Sequence, residues 1–258
     1  MNEPKKPREG LKKGIYLLPN LFTTAALFAG FYAIISAMNG LFEQAAIAVF
    51  IAMLLDGLDG RVARMTNTSS AFGAEYDSLS DMVSFGIAPA LVIYQWSLSS
   101  LATDGLLWGR IGWLVTFIYT ASAAIRLARF NTQVGSSDKR FFQGLASPAA
   151  AAVLMGLVWV FESLGYSGKD YAYLTLVLTL FSGLLMVSKF SYYSFKDFDL
   201  RKKVPFVSLL AIIIIFVFLT LDPPSVLFAI FVAYMFHGPF LSLGRRIKRS
   251  KRSQSNLD

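Results

Sequence analysis

Apolar residues gather into long runs separated by short polar breaks. Eight runs come close to the roughly 20 mostly apolar residues that a helix needs to cross a bilayer. They are Ile15–Met38, Phe42–Met65, Phe72–Trp96, Leu107–Phe130, Ser147–Leu164, Tyr171–Ser188, Val204–Leu221 and Ser225–Leu243. The breaks carry turn chemistry: Asn39-Gly40, Ser97 to Gly105, Gly165 to Asp170 and Asp222-Pro223-Pro224. The pattern predicts an all-α, polytopic helix bundle in a membrane, with no second domain.

Composition agrees. Of the 258 residues, 55% are hydrophobic and only 16% charged, which is not the balance of a water-soluble domain. The first basic cluster, Lys5, Lys6, Arg8, Lys12 and Lys13, resembles the start of a signal peptide. The run behind it is longer than an h-region of roughly 7–15 residues, so a retained first helix is expected. With the N-terminus in the cytoplasm, every Lys and Arg except Arg110 and Lys169 falls on or near the cytoplasmic side. The tail Arg245, Arg246, Lys248, Arg249, Lys251 and Arg252 then ends there as well. The expected location is the inner (cytoplasmic) membrane.

The net charge of +8 comes from residues at the ends of apolar runs. That placement suits anionic headgroups and gives no basic face for nucleic acid. Trp96, Trp108 and Tyr192-Tyr193 lie near the ends of the runs and are expected to be interfacial anchors. The absence of cysteine removes disulfides, Cys–zinc sites and thiol nucleophiles from consideration.

Against this background four carboxylates stand out: Asp56, Asp59, Asp77 and Asp81. A charge at membrane depth loses its hydration and is costly, so it marks a functional site. Asp56 and Asp59 are three apart, Asp77 and Asp81 four apart, so each pair projects from one helix face. The short turn from Thr66 to Ala71 makes the two helices antiparallel neighbours and brings the four acids together. Gly57, Gly60 and Gly73 remove side-chain bulk at that place. Four carboxylates this close call for cations, and hard oxygen donors suit Mg²⁺, Mn²⁺ or Ca²⁺. Two such ions could clamp a diphosphate. Arg64 lies just beyond the acids as a partner for that diphosphate. Arg61 reads better as a topology charge. A purely structural reading would pair the acids with Arg61, Arg64, Arg126 and Arg129, but it leaves the recurring glycines unexplained.

The pattern Asp-x2-Asp-Gly-x2-Ala-Arg-x8-Gly-x3-Asp-x3-Asp, running from Asp56 to Asp81, resembles the signature of the CDP-alcohol phosphatidyltransferases. The resemblance implies transfer of a phosphatidyl group from a CDP-linked lipid to a small alcohol, with release of CMP. It implies that Asp56, Asp59, Asp77 and Asp81 hold two divalent metals and that Asp81 also deprotonates the acceptor hydroxyl. It places Gly60, Ala63, Arg64, Ser70 and Gly73 at the CDP-lipid, and Pro19-Asn20 resembles the family's Pro-Asn element beside the nucleotide. The implied division is a basic segment 1–14, a six-helix core 15–188, a linker with two added helices 189–243 and a basic tail 244–258. A homodimer is also implied.

Three further stretches are similar to the members that use serine: Ser80 to Ala90, Arg126 to Asn131, and Phe142-Gln143-Gly144-Leu145 with Ser147-Pro148. They make L-serine the expected acceptor and CDP-diacylglycerol the expected donor. Glycerol 3-phosphate or inositol phosphate are the alternatives. Arg126 and Arg129 would meet the serine carboxylate, with Asn131 and Gln143 as further acceptor contacts; topology charge is the plainer account of both arginines. A cation-coupled transporter or channel would instead spread acids along a pathway. A membrane scaffold docked by its basic tail is the third reading.

Overall fold

A computed structural model describes the backbone of residues 9–66, 68, 70–133, 141–193 and 206–254. All eight apolar runs are mainly helical over their described residues. Their elements are α1 (Glu9–Met38), α2 (Phe42–Thr66), α3 (Ala71–Asp81), α4 (Ala88–Trp96), α5 (Leu106–Gln133), α6 (Ser147–Ser163), α7 (Ala172–Val187), α8 (Phe206–Leu221) and α9 (Pro223–Gln254). Among the described residues, five helical stretches are long and apolar enough to cross a membrane, and α6 is a shorter apolar helix. The chain is a multi-pass membrane protein. Residues 1–8 of the basic segment 1–14, the side chains of its remainder and those of the C-terminal basic tail lie outside the described residues.

α1 and α2 form a tight antiparallel hairpin because their facing residues are small. Ala26, Ala29, Ala33 and Ala37 are buried on one helix, and Ala45, Ala46, Ala48 and Ala52 on the other. The turn closes as the Asn39-Gly40 signal predicts. Gly40 takes φ 75°, its N–H bonds the Ala37 carbonyl, and the Leu41 N–H reaches back to Ser36. α6 is the hub of the bundle, with every residue from Ala149 to Val158 buried.

The third apolar run is one path but three geometries. Between α3 and α4 the backbone widens into a π-helical turn, Met82–Ile87, directly after Asp81. Pro89 has no N–H to give the carbonyl of Phe85 four residues earlier, so the α-helical ladder cannot run through. The Ala88 N–H bonds Val83 instead. The released Phe85 carbonyl accepts the hydroxyl of Tyr119 on α5 at 3.1 Å. Ser80, just before the turn, and Ser84, within it, donate to the α1 carbonyls of Thr23 and Ala26 at 3.2 and 3.1 Å.

Among the described residues, two short strands interrupt the helices. Phe141–Gln143 (β1) pairs antiparallel with Ser191–Tyr193 (β2), with Phe142 opposite Tyr192. Gly144 follows at φ 80°, its N–H bonded to the Phe190 carbonyl at 2.8 Å. This ribbon ties the approach to α6 to the end of α7.

Two of the expected interfacial aromatics are core residues instead. Trp96 is 3% exposed and donates to Glu162 Oε1 at 2.7 Å, because the turn carrying Gly168 closes over its ring. Tyr192 is fully buried and donates to the Met235 carbonyl at 3.0 Å, because the ribbon aims it at α9. Trp108 stays partly exposed, edge-on to Tyr173 with ring centroids 5.1 Å apart. The side chain of Tyr193 lies outside the described residues.

Candidate active site

The second half of α2 and the short α3 run side by side, and this brings the acids together. Oxygens of Asp56, Asp59 and Asp77 lie within 4.8 Å of one another. Asp81, one turn further along α3, adjoins this trio through Asp56 and has Arg126 of α5 within electrostatic range. Asp59 is buried and the other three acids are half-buried. One oxygen of Asp77, Oδ1, is buried with no hydrogen-bond donor among the described residues. A buried carboxylate oxygen without a donor is expensive unless a cation meets it. The donor set is all oxygen and all anionic, as a hard divalent cation requires. The residues present therefore fit a metal.

α1 supplies a contact that the local pattern does not announce. Thr23 Oγ1 donates to Asp59 Oδ2 at 2.7 Å and lies 3.2 Å from the Pro19 carbonyl. Its spacing from Pro19 and Asn20, one helical turn, was the available signal, but nothing local points a threonine at an acid 36 residues away.

Beside the trio opens a cleft of roughly 260 Å³. Pro19, Asn20, Gly60, Ala63, Arg64, Ser70 and Gly73, all seven of the expected CDP-lipid residues, line it together with Asp59 and Asp77. Thr23, Thr68 and Ala74 complete the wall. Ser70 caps α3, its Oγ accepting the Gly73 N–H at 3.0 Å, so the first turn of that helix opens onto the cleft. Helix N-termini favour anions there. Gly73 is a glycine because a side chain would stand 3.1 Å from Ser70 Oγ and 3.4 Å from Asn20 Oδ1. Thr24 and Tyr76 close the same seam with hydroxyls 2.9 Å apart. At Gly60 the nearest atom to a side-chain carbon would be Arg64 Nη1 at 3.5 Å, so the guanidinium lies over the space that Gly60 leaves.

The four expected acceptor residues are not gathered in one place. Arg126 reaches the acids, with Asp81 and Asp56 in electrostatic range and Nη1 donating to Ser147 Oγ at 2.7 Å. Its Nε is buried with no partner among the described residues. Arg129 turns to the end of α7, donating to the Val187 carbonyl at 3.3 Å, where a cation suits the helix C-terminus. Asn131 bonds Ser78 on α3 at 3.0 Å. Gln143 is exposed on the ribbon, opposite Ser191.

The comparisons with known proteins meet this geometry. A profile of the CDP-alcohol phosphatidyltransferase family matches residues 16–185. The chain is 37% identical over 220 residues to the CDP-diacylglycerol–serine O-phosphatidyltransferase of Helicobacter pylori (strain ATCC 700392 / 26695), covering 85% of this chain and 90% of that one. It is 30% identical over 246 residues to the enzyme of that name from Mycobacterium tuberculosis (strain ATCC 25618 / H37Rv), covering 93% and 83%. With its namesake in Methanocaldococcus jannaschii it shares 37% identity over 144 residues, 56% of this chain and 61% of the other. With its aspartate trio, its lined cleft and a profile match across α1 to α7, the chain belongs to the CDP-alcohol phosphatidyltransferase family.

Proposed function

We propose that this enzyme transfers the phosphatidyl group of CDP-diacylglycerol to L-serine, giving phosphatidylserine and CMP. The observation that carries the reading is the cleft: the seven residues expected at the donor line it, together with two of the acids. Relatives bearing the serine enzyme's name over most of the chain support serine as the acceptor.

Asp56, Asp59 and Asp77, with Asp81 alongside, would hold two divalent cations, Mg²⁺ or Mn²⁺. Bound there, they would neutralise the diphosphate and the charge that builds on departing CMP.

The chain's own residues do the rest. Arg64 and the first turn of α3 grip the diphosphate, and Gly60 and Gly73 let the backbone come close to it. Thr23 holds Asp59 in its rotamer. Arg126 takes the serine carboxylate, which orients the hydroxyl toward Asp81. Asp81 accepts the hydroxyl proton as the serine oxygen attacks the phosphorus that bears the diacylglycerol. The bond from that phosphorus to the bridging oxygen breaks, and CMP leaves with the electron pair. The acyl chains stay in the bilayer, so a membrane-embedded enzyme suits its donor. The site faces the cytoplasm of an inner-membrane protein, as the charge pattern directs, and the enzyme acts as a homodimer, the state the family resemblance implies.

The test is a product assay on purified protein with CDP-diacylglycerol and Mn²⁺ or Mg²⁺. Serine, glycerol 3-phosphate and inositol phosphate go in separate tubes. Phosphatidylserine and CMP with serine alone are expected. CMP with another alcohol alone would keep the chemistry and replace the acceptor.

A further inference from the structure

A serine inside a helix commonly bonds back to the carbonyl four residues earlier, and Ser78 of α3 does so, its Oγ donating to Ala74 at 3.1 Å. Ser80 and Ser84 do not. Ser80 donates to the carbonyl of Thr23 and Ser84 to that of Ala26, both on α1. The two serines are 2% and 0% exposed, so water does not compete for these hydroxyls. Neither carbonyl needs the bond, since each lies inside α1 and has an intrahelical N–H four residues on. The bonds therefore add placement more than satisfaction: they fix how α3 and the π-helical turn stand along α1. The approach is close. A side-chain carbon at Gly30 would stand 2.8 Å from the Ser84 backbone, so a larger residue would push the turn away.

Thr23 joins this seam to the other half of the acids. Its carbonyl accepts from Ser80, which directly precedes Asp81 and lies three residues past Asp77. Its hydroxyl donates to Asp59 Oδ2 on α2 at 2.7 Å. One α1 residue thus holds an acid of α2 by its side chain and the acid-bearing turn of α3 by its backbone. α1 packs against both helices, so it can gauge one against the other. A gauge is needed there. Oxygens of Asp56, Asp59 and Asp77 lie within 4.8 Å of one another, and like charges at that distance push apart. A fixed frame keeps the spacing that a shared cation requires.

We propose that Ser80 is a positioning residue for the acid cluster: by bonding the Thr23 carbonyl it sets the height of Asp77 and Asp81 against Asp59, and so the spacing of the metal-holding oxygens. Ser84 repeats the bond one turn further from the acids. This rests on the reading of the acids as metal ligands given above. Ser80 acts through backbone placement, separately from the bond that the Thr23 hydroxyl gives Asp59.

The experiment titrates Mn²⁺ into full-length wild type, S80A and S97A, reading the rise in melting temperature and, separately, CMP release. Ser97 is the control. It is fully buried and its Oγ donates across to the Gly168 carbonyl at 2.7 Å, the same kind of bond just past the far end of that apolar run. In S80A the half-saturating Mn²⁺ concentration should rise about 3- to 10-fold in both readouts, the loss of one hydrogen bond. In S97A it should stay within about 2-fold of wild type, as for a site distant from the acids. An unchanged titration in folded S80A overturns the proposal. So does an equal shift in S97A, which marks general loosening. S80C, of like size with a weaker donor, decides in the same way should S80A not fold. A wild type that Mn²⁺ does not stabilise overturns the metal reading, and this proposal with it.

Discussion

Thr23 on α1 donates its hydroxyl to Asp59 Oδ2 at 2.7 Å, across 36 positions of the chain. The same turn of α1 carries Pro19 and Asn20 into the cleft, so one helix both lines the cleft and bonds an acid of the trio. Thr23→Val keeps the shape and removes the bond. The metal concentration for half-maximal activity should rise about 10- to 100-fold, the usual cost of losing a partner that orients a ligand. A metal titration of CMP release checks this, and an unchanged curve would deny Thr23 that role.

Asp81→Asn keeps the size of the side chain and removes its capacity to take a proton. Turnover should fall by about 10²- to 10⁴-fold or more, the range of a general base, while CDP-diacylglycerol still binds. Rate and donor binding measured on the same preparation separate the two effects. A near-normal rate would remove Asp81 as the base.

Chelation should stop turnover, with recovery on adding Mg²⁺ or Mn²⁺. It should also lower the melting temperature, because carboxylates within 4.8 Å repel when nothing cationic lies between them. Metal at about 100 times its dissociation constant should restore about 2.7 kcal/mol of stability. Thermal melts with and without metal read this independently of activity.

Tyr119→Phe strips the hydroxyl from the Phe85 carbonyl inside the π-helical turn. An acceptor left buried and unpaired costs about 1–3 kcal/mol, seen as a lower melting temperature. Because the turn begins one residue after Asp81, kcat should fall more than the donor KM changes. A variant as stable and active as wild type would mean that the carbonyl finds another partner.

The aspartates were readable because helical periodicity is local. Spacings of three and four place Asp56 with Asp59 and Asp77 with Asp81 on single faces, and a turn too short for anything but a hairpin brings the faces together. The cleft was readable for a related reason: its glycines, Arg64 and the Ser70 cap lie within one hairpin, and only Pro19, Asn20 and Thr23 of α1 come from elsewhere. The helical, membrane-embedded character of the apolar runs was readable because apolar length alone specifies it.

Partners distant in sequence were decided by packing. Trp96 and Tyr192 read as interfacial from their positions in the chain, yet the turn at Gly168 and the ribbon bury them. Arg126 and Arg129 are three apart on one helix, and tertiary contacts send one to the acids and the other to the end of α7. The π turn needed both Pro89, visible in the chain, and Tyr119, whose arrival depends on how α5 docks. α9 docks where it does because Gly156 leaves room for Phe228 and Gly238 for the Tyr192 ring. Local spacing determines which residues share a helix face. Which face meets which depends on shape complementarity between helices, and that is a property of the assembled bundle.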